Sequence, residues 1–422
     1  MSDRILCKDH SISNDTWATG LNNNDCVIGP SGSGKTRGYV IPNILQCGES
    51  VIVTSSKDSL CQKTGVALRK NGYQVVEINF QDCAASTCGY NPLGYVRRDK
   101  SRNCFHEQDI LQIAAALSPV KTKHDPFWEQ AAQMALSAMI SYVLEYLPVQ
   151  EHHLGSVIRL LREMGTGNFD KLFDEVCLLA PDSFAAVQYQ MLRNIQKSPR
   201  TYASIQAFIA EKMSPFAFHG AQKLFTNTRQ LYFQNLGNRK TAVFLNISDT
   251  DRSMDTLVAL FYTQVLQQLC RYADQCPGGR LRVPVRLILD DFAAAAAGCI
   301  PDFDQTSSVI RSREISVSIL LQSLSQLEDI YGHHKAITIV NNCDHLLYLG
   351  GQDLETARYL SVKANKSIHT ILNTPLKHGW LFTRGSEPQR IQTYDLESHP
   401  LYQCGREAGQ TRGHEMDAGR EA

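Results

Sequence analysis

Asp25-Cys26-Val27-Ile28-Gly29-Pro30-Ser31-Gly32-Ser33-Gly34-Lys35-Thr36 decides the fold, because a short apolar strand runs straight into a glycine-rich turn and then into a helix expected over 35–45. Its last eight residues satisfy GxxxxGK[ST] in full, in the strand–loop–helix setting the pattern requires. Glycines let the backbone N–H groups wrap the α and β phosphates of a nucleotide, and the helix start adds partial positive charge. Gly29, Pro30, Ser31, Gly32, Ser33, Gly34, Lys35 and Thr36 are therefore the expected nucleotide contacts. Lys35 would reach the β and γ phosphates, and Thr36 would place its hydroxyl on Mg²⁺. A chance glycine turn is the bland alternative.

Outward from this loop, strands are expected at 50–54 and 74–78 with helix-compatible sequence at 57–70 between them, the alternation that builds a parallel sheet. From 107 to 236 strand signals disappear, and apolar residues recur at helical spacing, as in Ile110, Ile113, Ala114 and Leu117. The best-marked helix there begins with Asp125 as N-cap and Pro126 at the first helical position, and stops before Pro148. Strands resume at 241–247, 285–289, 316–321 and 345–349. The expected fold class is thus α/β: a mostly parallel sheet flanked by helices, with an all-alpha insertion. Residues 1–106 form the first part of the nucleotide-binding domain, 107–236 the insertion, 237–404 the second part, and 405–422 a disordered tail poor in apolar residues.

A magnesium-binding carboxylate should end another strand of the same sheet. Leu287-Ile288-Leu289-Asp290-Asp291-Phe292 offers one: Asp290 follows a mostly apolar strand and points into the crevice where ligands bind, as a Walker B residue. Asp291 is then placed to activate the attacking water. An acidic loop after a strand is the plain alternative. Thr122-Lys123-His124-Asp125 resembles the [NT]KxD motif that reads guanine, but it precedes the Asp290 strand, and Asp125 is better explained as a helix cap. ATP is preferred.

Composition narrows the class further. A chain of 422 residues outgrows one core, so two domains or a large insertion are expected. Forty-two basic and 42 acidic side chains cancel, so no global field draws the protein to nucleic acid or anionic lipid, and such contacts must be local or made by an assembly. The 13 Cys form no CxxC pair and no zinc spacing, and read as reduced thiols of a cytosolic protein. No signal peptide is expected at the amino terminus, and the apolar stretch 131–147 falls short of the roughly 20 residues a membrane span needs. The expected location is the cytoplasm, with any place at the inner face of the membrane depending on a partner.

Taken together, the motifs resemble those of the TraG-like coupling proteins of type IV secretion, the conjugative DNA-transfer ATPases related to RecA and FtsK motors. The similarity rests on 29–36, Gly89-Tyr90-Asn91-Pro92-Leu93, Asp125-Pro126-Phe127-Trp128, Leu289-Asp290-Asp291-Phe292-Ala293 and Ile300-Pro301-Asp302-Phe303. It continues through Arg311-Ser312-Arg313-Glu314, Gln322-Ser323-Leu324-Ser325-Gln326-Leu327, Tyr331-Gly332 and Asn342-Cys343-Asp344, in order over about 20–400. It implies a RecA-like P-loop NTPase domain with an all-alpha domain between Walker A and Walker B. It also implies a homo-hexameric ring that holds ATP and Mg²⁺ at its interfaces and passes single-stranded DNA or a relaxase–DNA substrate to the secretion channel. Arg313, with Arg311 second, would be the arginine acting on the neighbouring subunit's phosphoryl group, a solvated basic turn being the alternative. Gln322 would sense the γ-phosphate or water, unless it merely caps the next helix.

Three departures from that family stand out. Its amino-terminal transmembrane helices are expected to be missing, since the P-loop begins at Gly29; Asp291 replaces the usual Glu and is one methylene shorter; and Ser55-Ser56-Lys57 replaces Asp-Pro-Lys. They leave open a second function, a nucleotide-binding adaptor that recruits a relaxase or effector without being a motor, and a third, a truncated remnant. Arg97, Arg98, Lys100 and Arg102, interleaved with Tyr95 and Phe105, could line a DNA channel or be a solvated loop, and the same choice holds for Arg193, Lys197 and Arg200. His152, His153, His333 and His334 read as surface residues, and Trp128 as core.

Overall fold

The computed structural model describes residues 3–56, 59–120, 126–248, 250–292 and 300–403. Lys57, the 122–125 motif with its Asp125 cap, Ala293 and the 405–422 tail lie outside the described residues. The described residues form thirteen strands: β1 (Asp3–Cys7), β2 (His10–Ser13), β3 (Asp25–Ile28), β4 (Ser50–Ser55), β5 (Gln74–Asn79), β6 (Arg98–Asp99), β7 (Cys104–Phe105), β8 (Thr241–Asn246), β9 (Val285–Leu289), β10 (Ile315–Leu321), β11 (His345–Tyr348), β12 (His378–Thr383) and β13 (Gln389–Gln392).

Nine of them form one sheet in the order β13-β12-β11-β3-β10-β9-β4-β8-β5. β11, β3, β10, β9, β4 and β8 pair in parallel, while β12 and β13 are added antiparallel. Every residue of β3, β4, β8, β9, β10 and β11 is buried, which is why these strands read as near-continuous apolar runs in the sequence. β1 and β2 form a hairpin, and Lys8 at its turn donates its backbone N–H to Gln392 O of β13.

The chain divides into two compact units. One takes the described residues of 1–77, 232–252 and 265–422; the other takes those of 78–231 and 253–264. The second unit is built around the helix Phe127–Tyr146, with Phe169, Phe173 and Tyr189 clustered beside it; the Phe173 and Tyr189 rings stack at 4.8 Å. It begins well before residue 107. Residues 78–106 carry 3₁₀ turns and the β6–β7 hairpin, and Tyr95 donates its hydroxyl to Leu231 O within the same unit. Trp128 is half-buried, its ring meeting Phe127 edge to face. Among the described residues, no helix is long and apolar enough to cross a membrane.

The segment expected as one helix over 35–45 is two pieces, a π-helical turn Thr36–Val40 and the α-helix Ile41–Leu45. Pro42 has no N–H to give Gly38 O, and Ile41 N–H donates to Thr36 O, one residue beyond α-helical reach.

Candidate functional site

β3 delivers the glycine loop to the carboxyl edge of the sheet, where Gly29 N–H donates to Leu321 O of β10 at 3.0 Å. Gly32 and Gly34 take φ of 79° and 92°, the left-handed region that glycine enters without strain. A Cβ on Gly29 would stand 2.5 Å from Ser33 Oγ and 3.1 Å from Leu349 Cβ, so the loop closes only around a hydrogen. Ser33 Oγ is buried and makes no hydrogen bond among the described residues. A cradle of N–H groups, a buried hydroxyl and a lysine is the donor set a phosphate chain requires.

Lys35 folds back into the loop, its Nζ donating to Gly29 O at 2.5 Å and Pro30 O at 3.2 Å. Burial lowers its pKa, against the opposing charges of Asp291 and Asp290. Thr36 Oγ1 donates to Asp290 Oδ2 at 2.9 Å. Thus the two residues expected to share a magnesium ion already touch, although they lie 254 positions apart in the chain.

β10 lies between β3 and β9, so three strand ends meet: the loop after β3, Asp290 after β9 and Gln322 after β10. Burial, and then the Asp291 charge, push the Asp290 carboxyl up to about 6, against the Thr36 hydrogen bond and the Lys35 charge. Asp291 has φ of 49°, and its N–H donates to Asp290 Oδ1 at 3.1 Å. Aspartate tolerates this left-handed conformation better than longer side chains do, which gives the missing methylene a backbone reason. Gln322 Nε2 donates to Asp291 Oδ1 at 3.5 Å, the outer limit of a hydrogen bond. Ser323, not Gln322, caps the helix Leu324–Tyr331, accepting from Gln326 N–H.

The arginines lie elsewhere. Arg311–Arg313 form a 3₁₀ turn before the amino end of β10, so about 20 Å of strand separates them from Gln322. Arg313 makes a paired contact with Asp274, Nε at 2.8 Å and Nη2 at 3.2 Å, and Arg311 Nη2 donates to Thr16 O at 3.1 Å. Neither reaches the phosphate loop of its own chain.

Of the basic run, Arg97 is clamped by Asp109, with Nε and Nη2 both at 2.8 Å. Arg98, Lys100 and Arg102 are exposed, Arg98 lying over the Phe105 ring at 5.7 Å. Arg193 pairs with Asp174, and Lys197 and Arg200 are exposed. His333 contacts Glu328, His152 bonds Leu147 O, and no cluster of His, Cys, Asp or Glu among the described residues could hold a metal by itself. The turn after β11 went unnoticed in the sequence: Leu349 N–H donates to Ile28 O at 2.8 Å, and Gly350 and Gly351 follow with φ of 88° and 157°. The glycine pair after a strand was its only signal.

Residues 3–367 match the family described as "Type IV secretory system Conjugative DNA transfer". Protein VirD4 of Agrobacterium fabrum is 24% identical over 338 residues, 79% of this chain and 48% of the relative. Conjugal transfer protein TraG of Escherichia coli is 21% identical over 351 residues, 79% of this chain and 53% of the relative. The chain thus spans about half the length of the curated relatives it matches. Among solved structures, plasmid coupling protein TrwB in complex with the ATP analogue ADPNP superposes with a TM-score of 0.64 at 15% identity, covering 90% of this chain and 86% of that one. VirB4 of Thermoanaerobacter pseudethanolicus gives 0.57 at 16% identity, covering 95% and 98%. The fold is that of a RecA-like P-loop NTPase carrying a helical unit.

Proposed function

Because the chain belongs to the type IV secretory system conjugative DNA transfer family, we propose that it is an ATP-hydrolysing coupling protein that drives a DNA or relaxase–DNA substrate toward a secretion channel. The observation that carries this reading is the contact between Thr36 and Asp290, made beside Lys35 at the mouth of a complete phosphate loop. TrwB, of the same fold, has been solved with ADPNP and with ADP and Mg²⁺.

Phosphate oxygens would replace Gly29 O and Pro30 O as the acceptors of Lys35. Thr36 and Asp290 would hold Mg²⁺, which when bound neutralises charge on the phosphates. Asp290 must be ionised for that, and the cation, together with Lys35, favours the ionised form. Asp291 would orient the attacking water and take its proton as the γ-phosphoryl group leaves the bridging oxygen, giving ADP and phosphate. Gln322, within reach of Asp291, would report whether the water and γ-phosphate are in place. Arg313 or Arg311 would act on the neighbouring subunit's nucleotide in a homo-hexameric ring. Arg98, Lys100 and Arg102 are the exposed basic side chains offered to a nucleic acid.

The test is ATP binding and DNA-stimulated hydrolysis by the purified chain. Lys35→Ala should lower ATP affinity by at least about tenfold, and single-stranded DNA should raise turnover in the wild type but not in Asp290→Ala. Affinity indifferent to Lys35→Ala would end the nucleotide reading. Tight binding with no turnover under any condition would favour the adaptor.

A further inference from the structure

At the opposite end of the same strands lies a buried cluster of charges that the phosphate chemistry does not use. Asp25 opens β3, and its carboxylate accepts from Arg4 Nε at 3.0 and 3.2 Å, Tyr39 Oη at 2.5 Å and Arg286 Nη1 at 3.3 Å. Arg286 also bonds Ser318 Oγ at 3.1 Å and Asn23 O at 2.9 Å, and its Nε meets Glu49. Arg4 Nη2 lies 2.9 Å from His345 Nδ1. The same ring nitrogen stands 3.3 Å from an Asp25 carboxylate oxygen, so its tautomer decides which of the two it bonds. Arg4, Asp25, Tyr39, Arg286 and His345 are each 1% exposed. Burial alone would raise the Asp25 carboxyl, but Arg4, then His345 and Arg286, outweigh it and hold it below the usual carboxylate range.

Packing does not explain the cluster. Two guanidinium groups and two carboxylates out of water cost more than apolar side chains of the same volume would, and the best-attested use of such groups is to fix register. Arg286 Nη2 and His345 Nε2 are buried without a hydrogen bond among the described residues, so the cluster is not tuned for stability alone.

Two of its members stand level with Asp25 in the sheet, and Arg286, whose ladder partner is Ser316, stands two residues nearer the amino end of β10. Ser318 of β10 and His345 of β11 both pair with Asp25 across the ladder, and Arg286 of β9 reaches the same point. Four residues further along its own strand, each leads to a phosphate-site group: Asp25 to Gly29, Arg286 to Asp290, Ser318 to Gln322. Tyr39 closes the circuit, lying three residues after Thr36 and bonding both Asp25 and Ser318. A slip of one residue in any of these strands would move its functional group by about 3.3 Å and turn it to the other face.

We propose that Asp25 and Tyr39 are positioning residues for the nucleotide site: the buried cluster locks β3, β9 and β10 in register and so sets Lys35, Thr36, Asp290 and Gln322 against one another. The catalytic part rests on the ATPase reading; the registry part does not. Tyr39→Phe removes one hydroxyl and keeps the ring, Asp25→Asn removes the central charge, and Leu360→Ala, in the buried face of the helix Leu354–Ala364, is a destabilised control whose side chain takes no part in the cluster's hydrogen bonds.

Hydrogen exchange of the nucleotide-free protein is read first. Both cluster variants should speed exchange over 29–40 and 318–322 by about tenfold more than over the helical unit, which Leu360→Ala should not do. In steady-state hydrolysis kcat should fall on the order of ten- to a hundredfold with KM changed less than about threefold. Exchange over those segments that matches the wild type, or that Leu360→Ala reproduces, overturns the proposal. A wild type that binds no ATP overturns the ATPase reading and leaves exchange to decide the register. If Asp25→Asn does not fold, Tyr39→Phe carries the test.

Discussion

Asp290 is held in the folded protein at an energetic cost, as a carboxylate proposed to bind a cation would be. Its carboxyl sits at about 6 against an ordinary 3.8, raised by burial and by the neighbouring Asp291. Between about pH 4 and 6 the folded protein keeps a proton that the unfolded chain has released, so stability falls as pH rises through that window. Above it the ionised carboxylate is destabilising until a cation arrives. Asp290→Asn should therefore stabilise the metal-free protein by roughly 1–3 kcal/mol at pH 7.5, a gain that shrinks toward pH 4, while abolishing hydrolysis. Denaturant unfolding at both pH values checks it; a destabilised variant at pH 7.5 would show that the carboxylate is structural. That Thr36 and Asp290 would meet was legible in the sequence, because a P-loop and a strand-end carboxylate each call for a particular residue type at a fixed offset from a strand. The positive φ of Asp291 was not, since only the assembled strand ends force the chain to turn back there.

At the scale of elements, the strands of the central sheet were readable because burial on both faces leaves them no polar alternation to hide in. The β1–β2 hairpin was not: β2 reads His-Ser-Ile-Ser, too short and polar to announce itself, and it is held by Arg4 and by the Lys8 contact to β13. The π turn after the loop was equally hidden, because periodicity cannot tell which carbonyl a helical N–H will choose. The loop itself makes a testable element. Gly29→Ala places a methyl against Ser33 and Leu349 and should cost about 1–3 kcal/mol with a clear loss of ATP affinity. Gly72→Ala, at φ of 81° with open space around it among the described residues, should cost on the order of 1 kcal/mol and leave ATP affinity alone. Equal effects of the two on affinity would mean that the loop tolerates a side chain.

For the whole molecule, the decisive fact is that the phosphate site and the arginine turn occupy opposite ends of β10. One chain cannot bring them together, so on the proposed reading, in which an arginine acts on phosphate, hydrolysis should require a neighbour, and dilution should lower the rate per chain. The outcome is strongest in a mixing experiment. Asp290→Asn keeps the arginines and loses its own site; Arg313→Ala keeps the site and loses the arginine. Each alone should be inactive, and in equal mixture a site from one beside an arginine from the other arises at random in roughly a quarter of interfaces, restoring about that share of the rate. Arg313 must first exchange Asp274 for phosphate, so Asp274→Ala should raise the rate of the wild-type assembly by freeing the guanidinium. If mixtures with Arg313→Ala stay silent while those with Arg311→Ala recover, the second arginine is the one that crosses the interface. Silence with both would remove the turn from the reaction and return Arg313 to its pairing with Asp274.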